Sequence, residues 1–149
     1  MGYQHILVSV DDSPTSLAAA DQAMMLAKAI GSKVTIVSVV IIDPLTSVSF
    51  YKNVPGVTDY FMEAQAHAKN ILAELGARFS EAGIAAETKL VAKQSPSEAI
   101  AELADELKAD LIVVGSHGRT GLKKAFIGSI AQDILTASHV PVLVVKHTQ

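Results

Sequence analysis

His5-Ile-Leu-Val-Ser-Val10, followed at once by Asp11-Asp12-Ser13-Pro14, decides the fold. A short apolar run rich in β-branched residues stops at a polar turn in which Ser13 is placed to cap a helix and Pro14 to occupy its first turn. A strand therefore feeds directly into a helix. The helix is expected to reach Ile30, with Leu17, Ala20, Met24 and Ala27 on its apolar face, Leu26 and Ile30 at the edge, and Gly31 ending it. Lys33 to Ile42 then runs apolar nearly throughout, the pattern of a parallel strand covered on both faces.

The same alternation continues along the chain. Residues 43–58 carry Pro44, Pro55 and Gly56 without periodicity and read as a long loop, of the kind that often serves as a lid or partner-contacting flap. From about Asp59 to Ala82, Phe61, Ala64, Ala68, Ile71, Leu72, Leu75 and Phe79 follow helical spacing, and Gly83 closes that helix. Ile84 to Val91 is a poorer strand with Glu87 and Lys89 in alternation, which suits a sheet edge. Ser95-Pro-Ser-Glu98 reads as a capping box, and Ile100, Leu103, Ala104 and Leu107 mark one buried helical face. Asp110 to Val114 is a fourth strand, Ser129 to Ala137 a fourth helix, and Val142 to Val145 a last strand. The βαβαβαβαβ order implies an α/β fold with a parallel sheet, right-handed crossovers and helices on both faces.

Composition bounds the function. At 149 residues, one domain spanning 1–149 is expected. Half of the residues are hydrophobic and 18% charged, which excludes a disordered or coiled-coil chain. Aromatic residues make up 5% and Trp is absent, against a protein that stacks bases along a strand. The net charge is -3 and no basic run exceeds Lys123-Lys124, so no nucleic-acid footprint is present. Without cysteine there is no disulfide framework, a pattern compatible with the reducing cytosol, and no apolar stretch is long enough for a signal peptide or membrane insertion. A cytoplasmic location is expected.

In an open parallel sheet, ligands bind beyond the carboxyl ends of the strands, where the strand order reverses. The ends of strands one and four concentrate polar and glycine residues: Asp11-Asp12-Ser13 and Gly115-Ser116-His117-Gly118. From Gly115 to Ser129 the glycines fall as G-x2-G-x9-G-S, with Gly121 between them. Such glycines let backbone N–H groups approach a polyphosphate and permit the positive φ angles of an anion nest. Gly128-Ser129 opens a helix, whose N-terminal field adds to anion binding. The plainer alternative is that these glycines only shape a turn and cap a helix. Neither a P-loop nor a dinucleotide fingerprint is present.

Strand-one ILVSVDDS, the segment GSHGRTGLKKAFIGSIAQDIL and the closing VPVLVVK resemble the universal stress protein family along the whole chain. Gly115, Gly118, Gly128 and Ser129 fill every defining position of the glycine pattern of the family's ATP-binding branch. The resemblance implies a Rossmann-like, five-stranded parallel sheet in order 3-2-1-4-5, homodimerisation, and ATP or another adenine nucleotide, alone or with Mg2+, between strands one and four. It places Asp11 near the nucleoside and the backbone of Val39 against adenine. Ser9, Val10, Val114, His117, Ile130 and Ala131 match flanking positions of the site. Where the family often has Gly or Phe, this chain has Asp12, a second carboxylate open to solvent, to a metal, or to repulsion of an anionic ligand.

Each residue has a plainer reading as well. Asp11 serves equally to cap the first helix. His117 has no recognisable partner carboxylate or nucleophile, so no catalytic residue is assigned, and no metal ligand either. Arg119, Lys123 and Lys124 are phosphate partners or solvated surface charges. A phospho-receiver domain shares the paired acids after strand one and a lysine at position 146, but it needs an acceptor Asp after strand three, where Lys93-Gln94 stands. An ATPase or nucleotidyl transferase using the same pocket lacks the P-loop lysine and an acid-rich metal cluster. A nucleotide-dependent binding module in the stress response is the expected function.

Overall fold

The computed structural model describes residues 2–42, 57–117 and 127–146. Most of the expected 43–58 loop, and Gly118, Arg119, Gly121, Lys123 and Lys124, lie outside them. The elements are β1 (His5–Ser9), α1 (Pro14–Ile30), β2 (Lys33–Ile41), α2 (Val57–Glu81), β3 (Ala86–Lys93), α3 (Pro96–Leu107), β4 (Leu111–Gly115), α4 (Ser129–Ala137) and β5 (Val142–Val145). All strands pair in parallel, in the order β3-β2-β1-β4-β5. β1 is central, and the order reverses between it and β4.

Side chains alternate across the strands, so the sheet feeds two cores. Ile6, Val8, Val10, Val34, Ile36 and Val113 pack with the alanines of α1 and with Leu72, Leu75 and Phe79 of α2. Leu7, Val37, Ile112 and Val114 pack on the other side with Ile100 and Leu103 of α3 and with Ala131 and Ile134 of α4. β1, β2 and β4 are buried on both faces, which is why their sequences run apolar without alternation.

Two expectations shift in detail. The buried face of α1 is Ser16, Ala19, Ala20, Ala23 and Ala27, whereas Leu17 and Ile30 are exposed. Small residues let this helix sit close on the sheet, and the larger ones are turned to its flanks. The third strand begins at Ala86 and not at Ile84, because the Ile84 amide still donates to the Phe79 carbonyl and closes α2. The ladder starts with the Val34 amide donating to the Ala85 carbonyl. Both helix caps read from the sequence are formed: Ser13 Oγ accepts from the Ser16 amide, Ser95 Oγ from that of Glu98. Among the described residues, no helix is long and apolar enough to cross a membrane.

Candidate functional site

Beyond the carboxyl end of β1 the ladder continues for one more bond, from the Val10 amide to the Val37 carbonyl at 2.9 Å. The chain then folds into a tight turn built from its own polar groups. Asp11 Oδ1 accepts from the Ser13 amide at 2.7 Å, the Asp11 amide donates to Ser16 Oγ at 2.6 Å, and Ser16 Oγ donates to the Asp11 carbonyl. This is an Asx turn leading into the Ser13 cap. Asp11 thus shapes the turn through one carboxylate oxygen, and no bond among the described residues engages the other. Ser16, invisible as a site residue from the sequence, is what fixes the Asp11 backbone.

At the end of β4, Gly115 is still within the ladder, paired with Val145. The Ser116 amide donates to the Val145 carbonyl at 2.8 Å. The Ser116 carbonyl then accepts from the Gly128 amide at 2.6 Å, which draws the start of α4 onto the end of β4. His117 Nδ1 lies 3.1 Å from Ser116 Oγ, and its Nε2 is buried with no hydrogen-bond partner among the described residues. His5 Nδ1, at the opposite end of the sheet, is likewise buried without a partner among the described residues.

Gly115 and Gly128, the two glycines of the pattern among the described residues, act through space rather than through φ. Among the described residues the positive-φ glycines are Gly2, Gly31 and Gly83, and Gly128 has φ -65°. A Cβ on Gly115 would meet Thr15 at 2.9 to 3.1 Å, side chain and backbone, so this glycine lets α1 approach β4. A Cβ on Gly128 would meet the Ser116 carbonyl oxygen at 3.0 Å. The amide of Gly128 is already spent on that carbonyl, and α4 starts without a side-chain cap, with Ser129 and Ile130 exposed at its N-terminus.

Ser9, Val39, Val114 and Ala131 belong to the α3/α4 side: Val114 and Ala131 are buried in that core, Val39 packs against it, and Ser9 follows Leu7 by the alternation of β1. Val10 belongs to the opposite core. The expected site residues that are described thus gather around the ends of β1 and β4, with Val39 one strand away on β2 and Gly118 outside the described residues. A cavity of about 370 Å³ opens elsewhere, at the ends of β2 and β3, lined by Lys93, Gln94, Ser95, Glu98 and Glu102 among others. It includes none of the expected residues, and the strand-order reversal lies at the β1/β4 end instead.

Asp12 does not face an empty coordination site. Its Oδ2 lies 3.0 Å from His67 Nε2 on α2. His67 carries no local sequence signal for this, since 55 positions separate the two residues.

The doubly wound α/β sheet, with polar residues at the reversal of strand order, is of the Rossmann-like kind. The family model described as Universal stress protein family matches residues 2–146, and the chain belongs to that family. It is 32% identical over 144 residues to Universal stress protein MJ0531 of Methanocaldococcus jannaschii, covering 97% of this chain and 82% of the other. Hypothetical protein MJ0577, solved for a structure-based assignment of its biochemical function, superposes with TM-score 0.85 at 26% identity over 100% of this chain and 99% of its own. A universal stress protein crystallised in complex with cAMP superposes with TM-score 0.73 at 32% identity, covering 100% of both chains.

Proposed function

We propose that this chain is a cytoplasmic nucleotide-binding module of the stress response that holds ATP, or another adenine nucleotide, between the ends of β1 and β4. The observation that carries this reading is the convergence there of two features: the Asp11 oxygen that no bond among the described residues engages, and the start of α4 without a side-chain cap. Anionic oxygens suit the second of these, because the first amides of a helix lack internal acceptors and carry its positive field. A ribose hydroxyl suits a carboxylate that accepts. The apolar side chains of Val39 and Val114, on the α3/α4 side, suit a base. The cAMP complex of a relative 32% identical supports an adenine nucleotide as the ligand class.

In this reading Asp11 meets the nucleoside, Val39 meets adenine through its backbone, Gly115, Gly118, Gly128 and Ser129 hold the phosphates, and Ser9, Val10, Val114, His117, Ile130 and Ala131 flank the site. Mg2+ accompanies ATP through the phosphates and requires no ligand cluster of its own. The protein acts as a homodimer joined along β5.

Calorimetric titration with ATP, cAMP, GTP and NAD tests the reading. Binding of an adenine nucleotide with Kd of about 1 μM or tighter, near -8 kcal/mol, is expected. Equal failure of all four ligands would overturn it. Recovery of intact ATP after hours of incubation is expected of a binding module, and complete conversion to ADP would reassign the site to hydrolysis.

A further inference from the structure

Three amides and three side-chain oxygens close a ring in the turn after β1. The Asp11 amide donates to Ser16 Oγ at 2.6 Å, the Ser16 amide to Ser13 Oγ at 3.1 Å, and the Ser13 amide to Asp11 Oδ1 at 2.7 Å. Ser16 Oγ adds a further link by donating to the Asp11 carbonyl at 3.2 Å, so this one hydroxyl holds both polar groups of the Asp11 backbone. Ser13 and Ser16 are buried, each 5% exposed. Thr15, inside the ring, packs on Gly115, where an added Cβ would lie 3.0 Å from the Thr15 backbone carbon. The ring is thus seated against the end of β4.

The helix that Ser16 belongs to does not depend on its hydroxyl. The Ser13 side chain caps α1, Pro14 opens it, and Ala19, Ala20, Ala23 and Ala27 bury it in the core. The bonds of Ser16 Oγ run out of the helix, five residues back along the chain, to Asp11. Rotation of a carboxylate about χ2 is ordinarily broad. Here the Ser13 amide holds Oδ1 while Ser16 holds the backbone behind it, and Oδ2 is the oxygen that no bond among the described residues engages. One fixed acceptor oxygen suits one hydroxyl donor.

We propose that Ser16 is a positioning residue for the nucleotide site: by holding the Asp11 backbone in the ring it presents a single carboxylate oxygen to a sugar hydroxyl, so that the site reads the sugar of its ligand. The inference rests on the proposed nucleotide site. Because the acceptor is ordered before a ligand arrives, little ordering is left to oppose binding.

The test is a set of calorimetric titrations with ATP and 2′,3′-dideoxy-ATP on the full chain and its Ser16→Ala, Ser16→Cys and Asp11→Asn variants, with a melting curve for each. The parent is expected to bind the dideoxy nucleotide about ten-fold more weakly than ATP, in the range of one hydrogen bond to a charged group. Ser16→Ala is expected to weaken ATP about five-fold and the dideoxy nucleotide by less than about two-fold, since only the sugar contact relies on the aim of Asp11. Ser16→Cys, similar in volume and a poorer hydrogen-bonding group, is expected to fall between the parent and Ser16→Ala, and it carries the test if Ser16→Ala does not fold. Asp11→Asn is expected to bind the two nucleotides alike. A parent that binds neither nucleotide overturns the proposed ATP site and this inference with it. A parent that binds both equally tightly overturns the inference alone. So does a folded Ser16 variant that keeps the parental ratio or loses both nucleotides to the same degree, or an Asp11→Asn variant that still distinguishes them.

Discussion

A methyl group at Gly115 would sit 2.9 Å from Thr15 Cγ2 and 3.0 Å from the Thr15 backbone carbon, at the point where α1 leans on β4. Backbone cannot yield as a flexible side chain can, so Gly115→Ala is expected to destabilise the fold by about 1–3 kcal/mol, the range for overpacking a close contact. Thermal melting reads this directly, and an unchanged Tm would show that the Thr15 contact relaxes freely. Gly128 has an ordinary extended backbone and one close neighbour, the Ser116 carbonyl oxygen. Gly128→Val is therefore expected to keep a near-parental circular dichroism spectrum while weakening ATP at least ten-fold, about 1.4 kcal/mol. Wild-type affinity in that variant would leave the glycine a turn former only. The sequence motif grouped these two glycines and could not separate them. What distinguishes them is Thr15, 100 positions from Gly115 along the chain, a contact that spacing does not encode. His67 escaped for the same reason, while the roles of Ser13 and Ser95 as caps were legible because a cap and its amide lie within three residues.

Elements were legible wherever burial on both faces wrote itself as an apolar run, as in β1, β2 and β4, and ambiguous where packing depends on small residues, as on the alanine face of α1. The amino end of the sheet shows what such runs conceal. His5 is buried, with Nε2 2.8 Å from Thr35 Oγ1, and it bridges β1 to β2. Asp110, at the entry to β4, accepts from the Gln4 and His5 amides and so aligns β4 with β1. Burial, and next the charge of Lys33, lower the His5 pKa below the ordinary 6.5. The unfolded chain therefore binds more protons than the folded one between the lowered value and 6.5, and stability rises with pH across that window. For Asp110, burial pushes the carboxyl up, but the hydrogen bonds from Gln4, His5 and its own amide prevail and the pKa falls below 3.8. Its contribution is present above 3.8 and disappears only as pH drops beneath that value. Melting curves from pH 7.5 to pH 5 on the parent and on His5→Gln read the contribution of His5 by difference: Tm of the parent is expected to fall on acidification, and His5→Gln to flatten that slope. A parent whose Tm holds level across this range would contradict the assignment.

At the scale of the whole molecule, the sheet has two unlike edges. β3 carries Glu87, Thr88 and Lys93 exposed along its length, charges and a polar residue that discourage pairing with another chain. β5 carries none of these. Val142, Leu143 and Val144 are only half-buried, and the sequence supplies no charge before Lys146. Its backbone is committed on one side only. The Ile112 amide donates to the Pro141 carbonyl and the Ser116 amide to the Val145 carbonyl, so alternation leaves the amides and carbonyls of Val142 and Val144 facing away from β4. A twofold dimer in which β5 pairs antiparallel with its copy satisfies those groups and covers the valines in one isologous contact. A charged probe at Val145, 8% exposed, would damage the core as well as the edge. Val144→Pro removes an outward amide without breaking the ladder to β4, and proline is tolerated on edge strands for that reason. Light scattering is expected to show a dimer for the parent at micromolar concentration and a folded monomer for Val144→Pro. A monomeric parent at that concentration, or a Val144→Pro variant that remains dimeric, would place the interface somewhere other than β5.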